Sequence, residues 1–262
     1  MEIEPPERGT KAWGRWTALG LGLVAALVAQ VPALMAYSWW FGLDVAHWAD
    51  LPHSGVAVIV LVCVSTPVQI ALLAFFARRA GVTATNYLGL TVPRGRDFAL
   101  ALVAAMVVIA VGDGINKLRG DDIVTPFQLD IYRTAGAAGW LPWLWITVVV
   151  MAPIGEETLF RGFLFRSWNR SPNDAWTAIA MTALLWTAVH VQYELYVMGQ
   201  VFVIGLAFGW VRWKTGSTLP TILMHWLLNG AGMLETFMAL RAKLVMSCGE
   251  GAELLSHHPM LN

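Results

Sequence analysis

Uncharged windows long enough to cross a bilayer alternate with short polar breaks along this chain. They predict seven membrane-spanning helices, at residues 16–40, 54–77, 98–112, 140–168, 175–191, 195–211 and 217–234. The third window is short for a span. The fourth is long enough that one end should project from the membrane. Trp39, Trp40, Trp140, Trp143, Trp210 and Trp213 fall at window ends, where tryptophan anchors helices at the interface. Residues 113–139 are too polar to cross and too long for a tight turn, so they predict an external loop carrying a short surface helix. The expected fold is all-α: one membrane domain over residues 1–262, a bundle of about seven transmembrane helices enclosing a polar cavity.

Composition supports that picture. The chain is 57% hydrophobic and 13% charged, with a mean hydropathy of +0.60, well outside the range of soluble domains. Seventeen basic and 17 acidic residues cancel, which leaves no basic footprint for nucleic acid. Cys63 and Cys248 have neither metal-site spacing nor the numbers for a disulfide framework, and read as small hydrophobes. The mixed-charge N-terminus followed by a full-length apolar window predicts a first span rather than a cleaved signal.

Sidedness follows from Lys and Arg. With the N-terminus inside, 12 of the 17 fall in internal segments (Arg8, Lys11, Arg15, Arg78, Arg79, Arg94, Arg96, Arg161, Arg166, Arg170, Arg212, Lys214). The other five, Lys117, Arg119, Arg133, Arg241 and Lys243, fall outside. The expectation is a multi-pass cell-membrane protein with a cytoplasmic N-terminus and an external C-terminus.

One stretch breaks the apolar pattern. In Gly155-Glu156-Glu157-Thr158-Leu159-Phe160-Arg161-Gly162, two carboxylates and an arginine interrupt a lipid-compatible helix. A charge at that depth costs about 2.5 to 3.5 kcal/mol on insertion scales, so such groups face a protein interior or a wet cavity and mark function. Glu157 and Arg161 are one helical turn apart and can pair. Glu156 lies about 100° round with no cation at i+4, which makes it the surplus carboxylate and the candidate for chemistry. Pro153 removes a helical hydrogen bond just upstream, releasing the carbonyl of Val149 and predicting a kink.

Two histidines also sit in apolar windows. His190 closes Trp186-x-x-x-His190, and His225 opens His225-x-x-x-Asn229. Counting from the turn at 169–174, Glu156 and His190 lie roughly 23 and 28 Å up the two arms of a hairpin, at nearly one level. Singly, each polar residue has a structural use: a histidine or asparagine joins helices, and Glu157–Arg161 is an ion pair. Their convergence at one depth favours function. Other polar groups stay with the structural reading: Asp113, Glu194 and Glu235 at span ends, and His47, His53, His257 and His258 in loops or the tail. Gly205 and Gly209 form a small-xxx-small pattern that predicts close helix packing.

The three motifs, Glu156-Glu157-x-x-x-Arg161, Trp186-x-x-x-His190 and His225-x-x-x-Asn229, together resemble the CPBP family. These are the CAAX-prenyl-protease and bacteriocin-processing intramembrane proteases, also called the Abi family. The resemblance covers about residues 140–230, including Phe160-Arg161-Gly162, and departs at Trp186, where the family pattern usually has Phe. It implies a membrane endopeptidase with Glu156 as general base and Glu157 with Arg161 as its supporting pair. His190 would hold and activate water, and His225 with Asn229 would stabilise the oxyanion. Hydrolysis of a peptide independently requires a base and donors aimed at developing negative charge.

The implied partners are the lipid bilayer and a peptide or protein substrate reaching the cavity from the membrane or cytoplasmic side. No cofactor is certain. Members of the family are called metalloproteases, and Glu156, His190 and His225 would make an acceptable zinc set. The His-Glu-x-x-His pattern is absent, however, and the same residues support metal-free water activation. Two other classes compete. A non-proteolytic immunity or scaffold protein leaves the surplus Glu156 without a use, and a proton-coupled transporter lacks its inverted repeat and paired broken helices.

Overall fold

The structure, a computed structural model, describes residues 12–42, 45–120 and 124–256, with residues 45–47 and 244–256 described by backbone alone. Arg8, Lys11, Asp121, Asp122, His257 and His258 therefore lie outside the described residues. The described residues are mainly helical, without a strand: α1 (Arg15–Phe41), α2 (Gly55–Arg79), α3 (Ala84–Tyr87), α4 (Gly95–Arg119), α5 (Pro126–Ala137), α6 (Leu141–Trp168), α7 (Ala175–Ala188), α8 (Leu195–Thr215) and α9 (Leu219–Ser256). This is the all-α, polytopic membrane architecture expected.

Side-chain size decides which way the helices face. In α1, Ala18, Gly22, Ala25, Ala29 and Ala33 form a buried small-residue stripe, while Leu27, Val31 and Met35 point outward. Lipid tails are as apolar as leucine, so close backbone approach through small residues drives such packing. A Cβ on Gly22 would stand 3.1 Å from Leu159 of α6, so this stripe seats α1 against the helix that bears the glutamates. Gly205 and Gly209 behave as their pattern predicts, since added Cβ atoms would approach Ala183 and Ile179 of α7 to 3.0 and 3.1 Å.

Several boundaries differ from the hydropathy reading. All seven expected helices form, but among the described residues five are long and apolar enough to span by themselves: α1, α2, α4, α6 and α8. α7 has 14 residues, about 21 Å, against a core of about 30 Å, and it ends before His190. α4 runs 25 residues, to Arg119, because Asp113, Lys117 and Arg119 extend the helix rather than end it. The expected loop is correspondingly shorter. Its helix α5 buries Ile131, Tyr132 and Ala135 against the rest of the fold instead of lying free on the surface. α9 continues 38 residues, past the boundary expected near Glu235.

Hydrogen bonds sort the segments between helices to two ends. At one end Arg15 pairs with Asp174, Arg166 donates to the Asn86 carbonyl, and Thr218 Oγ1 donates to the Leu88 carbonyl at 2.7 Å. At the other, His53 meets Asp130 at 3.0 Å, and the Gly55 N–H donates to Thr134 Oγ1 at 2.8 Å. Arg15, Arg166 and Arg170 lie at the first end.

The helix that holds the motif is irregular. Within α6, residues Ile146–Met151 and Thr158–Leu164 are wound as π-helix, with the α-helical turn Ala152–Glu157 between them. π-turns concentrate at functional sites because they re-aim side chains and free backbone groups. In the first stretch the Ala152 N–H bonds the Thr147 carbonyl, five residues back. The next bond of that ladder would join residue 153 to Val148, and Pro153 has no N–H. The released carbonyl is therefore that of Val148, not Val149, because the register is π rather than α.

Candidate active site

Glu156 and Glu157 are neighbours in sequence with opposite surroundings. Glu157 is 0% exposed, as is Arg161, whose Nη1 donates to Glu157 Oε1 at 3.1 Å. Arg161 Nη2 donates to the Gly205 carbonyl at 3.1 Å, and the guanidinium lies over the rings of Trp186 and Phe208 at 4.8 and 5.0 Å. A guanidinium is more weakly hydrated than an ammonium and has flat faces that stack, which suits it to a fully buried pair. The i, i+4 pairing expected from the sequence is present. Glu156 keeps a side chain 29% exposed. It accepts the indole N–H of Trp186 on Oε2 at 2.6 Å, and His225 Nε2 stands 4.0 Å from the same oxygen.

His225 joins the two carboxylates. Its Nδ1 lies 3.0 Å from Glu157 Oε1, and its ring is 3% exposed, packed against Trp186 and Phe208. A carboxylate in an ion pair only accepts, so Nδ1 carries the proton and Nε2 is directed to the Glu156 side. His190 lies in the turn after α7 rather than late in a helix, as its motif suggested. There its Nδ1 is 2.7 Å from the Trp186 carbonyl and its ring packs edge-on to the indole at 4.8 Å. A carbonyl cannot donate, so Nδ1 again holds the proton and Nε2 is left as the acceptor.

Asn229 uses Nδ2 to donate to the Val148 carbonyl at 2.8 Å, the carbonyl left without a donor by Pro153. Trp226, one turn earlier, donates Nε1 to the Val150 carbonyl at 3.3 Å. α9 thus supplies side-chain donors to the π-wound stretch of α6. The second N–H of Asn229 is not used by that bond.

Of the six residues singled out, Glu156, Glu157, Arg161 and His225 form one contact cluster, and His190 joins it through Trp186. Asn229 lies one turn beyond His225 and is tied to α6. The motif reading missed the indole N–H of Trp186, which counted only as an aromatic. It also missed Tyr193, whose ring stacks on His190 with centroids 6.0 Å apart. Burial first, and the charge of Glu156 second, push the Tyr193 phenol up to about 12, so it stays protonated. Gln69 was likewise unsuspected; its Nε2 donates to the Gly155 carbonyl at 3.0 Å and braces the turn before the glutamates. The signal for Trp186 was in its chemistry, since tryptophan carries a donor that phenylalanine lacks. For Tyr193 and Gln69 the sequence offered no comparable signal.

Among the described residues no three His, Cys, Asp or Glu side chains stand together in a metal-holding arrangement. His190, His225 and Glu156 as placed are not such a set.

These features define a multi-pass, all-α membrane protein with a buried Glu–Arg–His cluster and one accessible carboxylate. Residues 138–231 match the family model of Rce1-like proteins, described as Type II CAAX prenyl endopeptidase Rce1-like. That match bears out the resemblance to CPBP and CAAX-type intramembrane proteases, and it encloses all three motifs. The chain is also 31% identical, over 135 residues, to an uncharacterized 24.3 kDa protein of Escherichia coli. That alignment covers 51% of this chain and 62% of the relative, so the match spans less than two thirds of the relative's length. No solved structure gives a significant match.

Proposed function

We propose that the protein is an intramembrane endopeptidase that hydrolyses peptide bonds of membrane-associated peptides or proteins with water activated by Glu156. The observation that carries this reading is the contrast between two adjacent carboxylates. Glu157 is sealed and balanced by Arg161, whereas Glu156 is 29% exposed, with the neutral Trp186 N–H as its nearest donor. A structural ion pair accounts for Glu157 and leaves Glu156 without a structural role.

In this reading a water held between Glu156 and the unprotonated Nε2 of His190 gives its proton to Glu156 as it attacks the scissile carbonyl. The new C–O bond turns the carbonyl oxygen into an oxyanion. The free N–H of Asn229 and the Nε2 side of His225 are the donors assigned to it. Because Glu157 already holds the Nδ1 proton of His225, donation from Nε2 requires the imidazolium form, whose charge Glu157 balances. Collapse of the intermediate breaks the C–N bond, and the proton on Glu156 passes to the leaving amine. Arg161 acts on this sequence by holding Glu157 and α6 in place, and Glu157 by orienting His225 and balancing its charge.

Purified full-length protein in proteoliposomes should cleave an internally quenched peptide carrying a membrane-anchoring tail. Glu156→Gln should abolish cleavage while leaving folded protein and thermal midpoint unchanged. Cleavage at wild-type rate by Glu156→Gln overturns the assignment. The family match makes peptides ending in prenylated Cys-a-a-X sequences the first substrates to compare with unprenylated ones.

A further inference from the structure

Trp186 contacts Glu156, His190, His225 and Arg161 at once, yet the hydrolytic scheme gives it no task. Its indole N–H donates to Glu156 Oε2 at 2.6 Å. Its backbone carbonyl lies 2.7 Å from His190 Nδ1. Its ring packs edge-on against His190 at 4.8 Å and His225 at 5.4 Å, beneath the Arg161 guanidinium. The side chain is 4% exposed, and room for it comes from Gly205 of α8, where an added Cβ would stand 3.2 Å from the indole Cε3.

We infer that Trp186 is a positioning residue for Glu156 and His190 together, acting through its indole N–H and not merely through its bulk. The inference rests on the proteolytic reading of Glu156. One residue bonds the proposed base with its side chain and the water-holding histidine with its main chain, so the two stand in a set relation across the α6–α7 hairpin. Phenylalanine, the usual residue at this place in the motif, would fill the space without donating. A charge-assisted bond this short confines a carboxylate to one orientation, which neither ring packing nor the more distant His225 can do.

The test must remove the donor without removing the ring. Replacing Trp186 by β-(3-benzothienyl)alanine puts sulfur where N–H stood and keeps the bicyclic shape. In full-length protein in proteoliposomes, kcat on the quenched peptide should fall about 10- to 100-fold with KM within about twofold, the signature of lost orientation rather than lost binding. The thermal midpoint should stay near that of wild type. A second readout needs no peptidase activity: dicyclohexylcarbodiimide labelling of Glu156, followed by mass spectrometry, should become several-fold faster once the carboxylate is released. Trp186→Phe should show the same kcat loss together with a lower thermal midpoint. Unchanged kcat and unchanged labelling in the benzothienyl variant would overturn the inference and reduce Trp186 to a packing residue. If the wild type cleaves no peptide, the protease reading fails, while faster labelling still upholds the Trp186–Glu156 coupling.

Discussion

Asn229 on α9 donates its Nδ2–H to the carbonyl of Val148 on α6 at 2.8 Å, taking the place of the N–H that Pro153 lacks. A residue assigned to the oxyanion is thereby also a structural brace. The two roles separate experimentally. Asn229→Ala should lower kcat by the worth of one oxyanion donor, about 2–4 kcal/mol of barrier, with little change in KM. It should also lose stability, because a buried carbonyl is left unpaired. Adding Pro153→Ala supplies an N–H to the ladder and should restore the thermal midpoint but not kcat. Recovery of both would make Asn229 a brace alone.

Arg161 should be costlier to remove than Glu156. Arg161→Ala leaves Glu157 fully buried without its cation and the Gly205 carbonyl without its side-chain donor. Breaking a buried pair from one side costs about 3–5 kcal/mol. Membrane abundance and thermal midpoint should fall together with activity, whereas Glu156→Gln should spare both. Equal loss of folded protein in the two variants would argue that the whole cluster is structural.

Gly205 sets the distance between α7 and α8. A Cβ there would approach Ala183 Cβ to 3.0 Å and the Trp186 ring to 3.2 Å. Gly205→Ala should destabilise by about 1–3 kcal/mol, the usual cost of overpacking. It should also lower kcat by displacing the indole. Activity and thermal midpoint measured on one preparation check both.

The tie between α1 and the α6–α7 turn should weaken in acid. Desolvation acts to raise the Asp174 carboxyl, but hydrogen bonds from Ser171 and the bonded, charged Arg15 outweigh it and hold Asp174 below the usual carboxylate range. A lowered folded-state value means the contribution is present above the unfolded value of about 3.9 and is lost as pH falls through the folded one. Asp174→Asn should therefore lower the thermal midpoint at neutral pH, by at most about 1 kcal/mol for such an exposed pair. The gap to wild type should close as pH falls below about 4.

Sidedness is open to reporter fusions. The basic end formed by Arg15, Arg166 and Arg170 should face the cytoplasm. Fusions after Gly81 and Ser171 should report as internal and one after Gly139 as external. A reversed pattern would overturn the N-inside assignment.

The apolar windows and the price of charge in lipid were enough, by themselves, to specify an all-α membrane fold and to single out Glu156-Glu157 and Arg161, because both signals are local in the chain. Spacing alone paired Glu157 with Arg161, and i, i+4 placed His225 and Asn229 on one helix. Tertiary structure decided the rest. Hydropathy ends a helix at its first charges, so it cut α4 short at Gly112 and could not see that Asp113, Lys117 and Arg119 continue it. It carried α7 through to Val191 because Val189 and Val191 are apolar, although the helix ends at Ala188. No local pattern announced that α6 would wind as π-helix on both sides of the glutamates, which moved the orphaned carbonyl from Val149 to Val148 and brought Asn229 to it. Spacing chose Glu157 as the paired glutamate but could not show that the pair would be fully buried. That depended on α8 and α9 bringing the Gly205 carbonyl to Arg161 and His225 to Glu157, and on α7 aiming one indole N–H at Glu156, all contacts between residues distant in the chain.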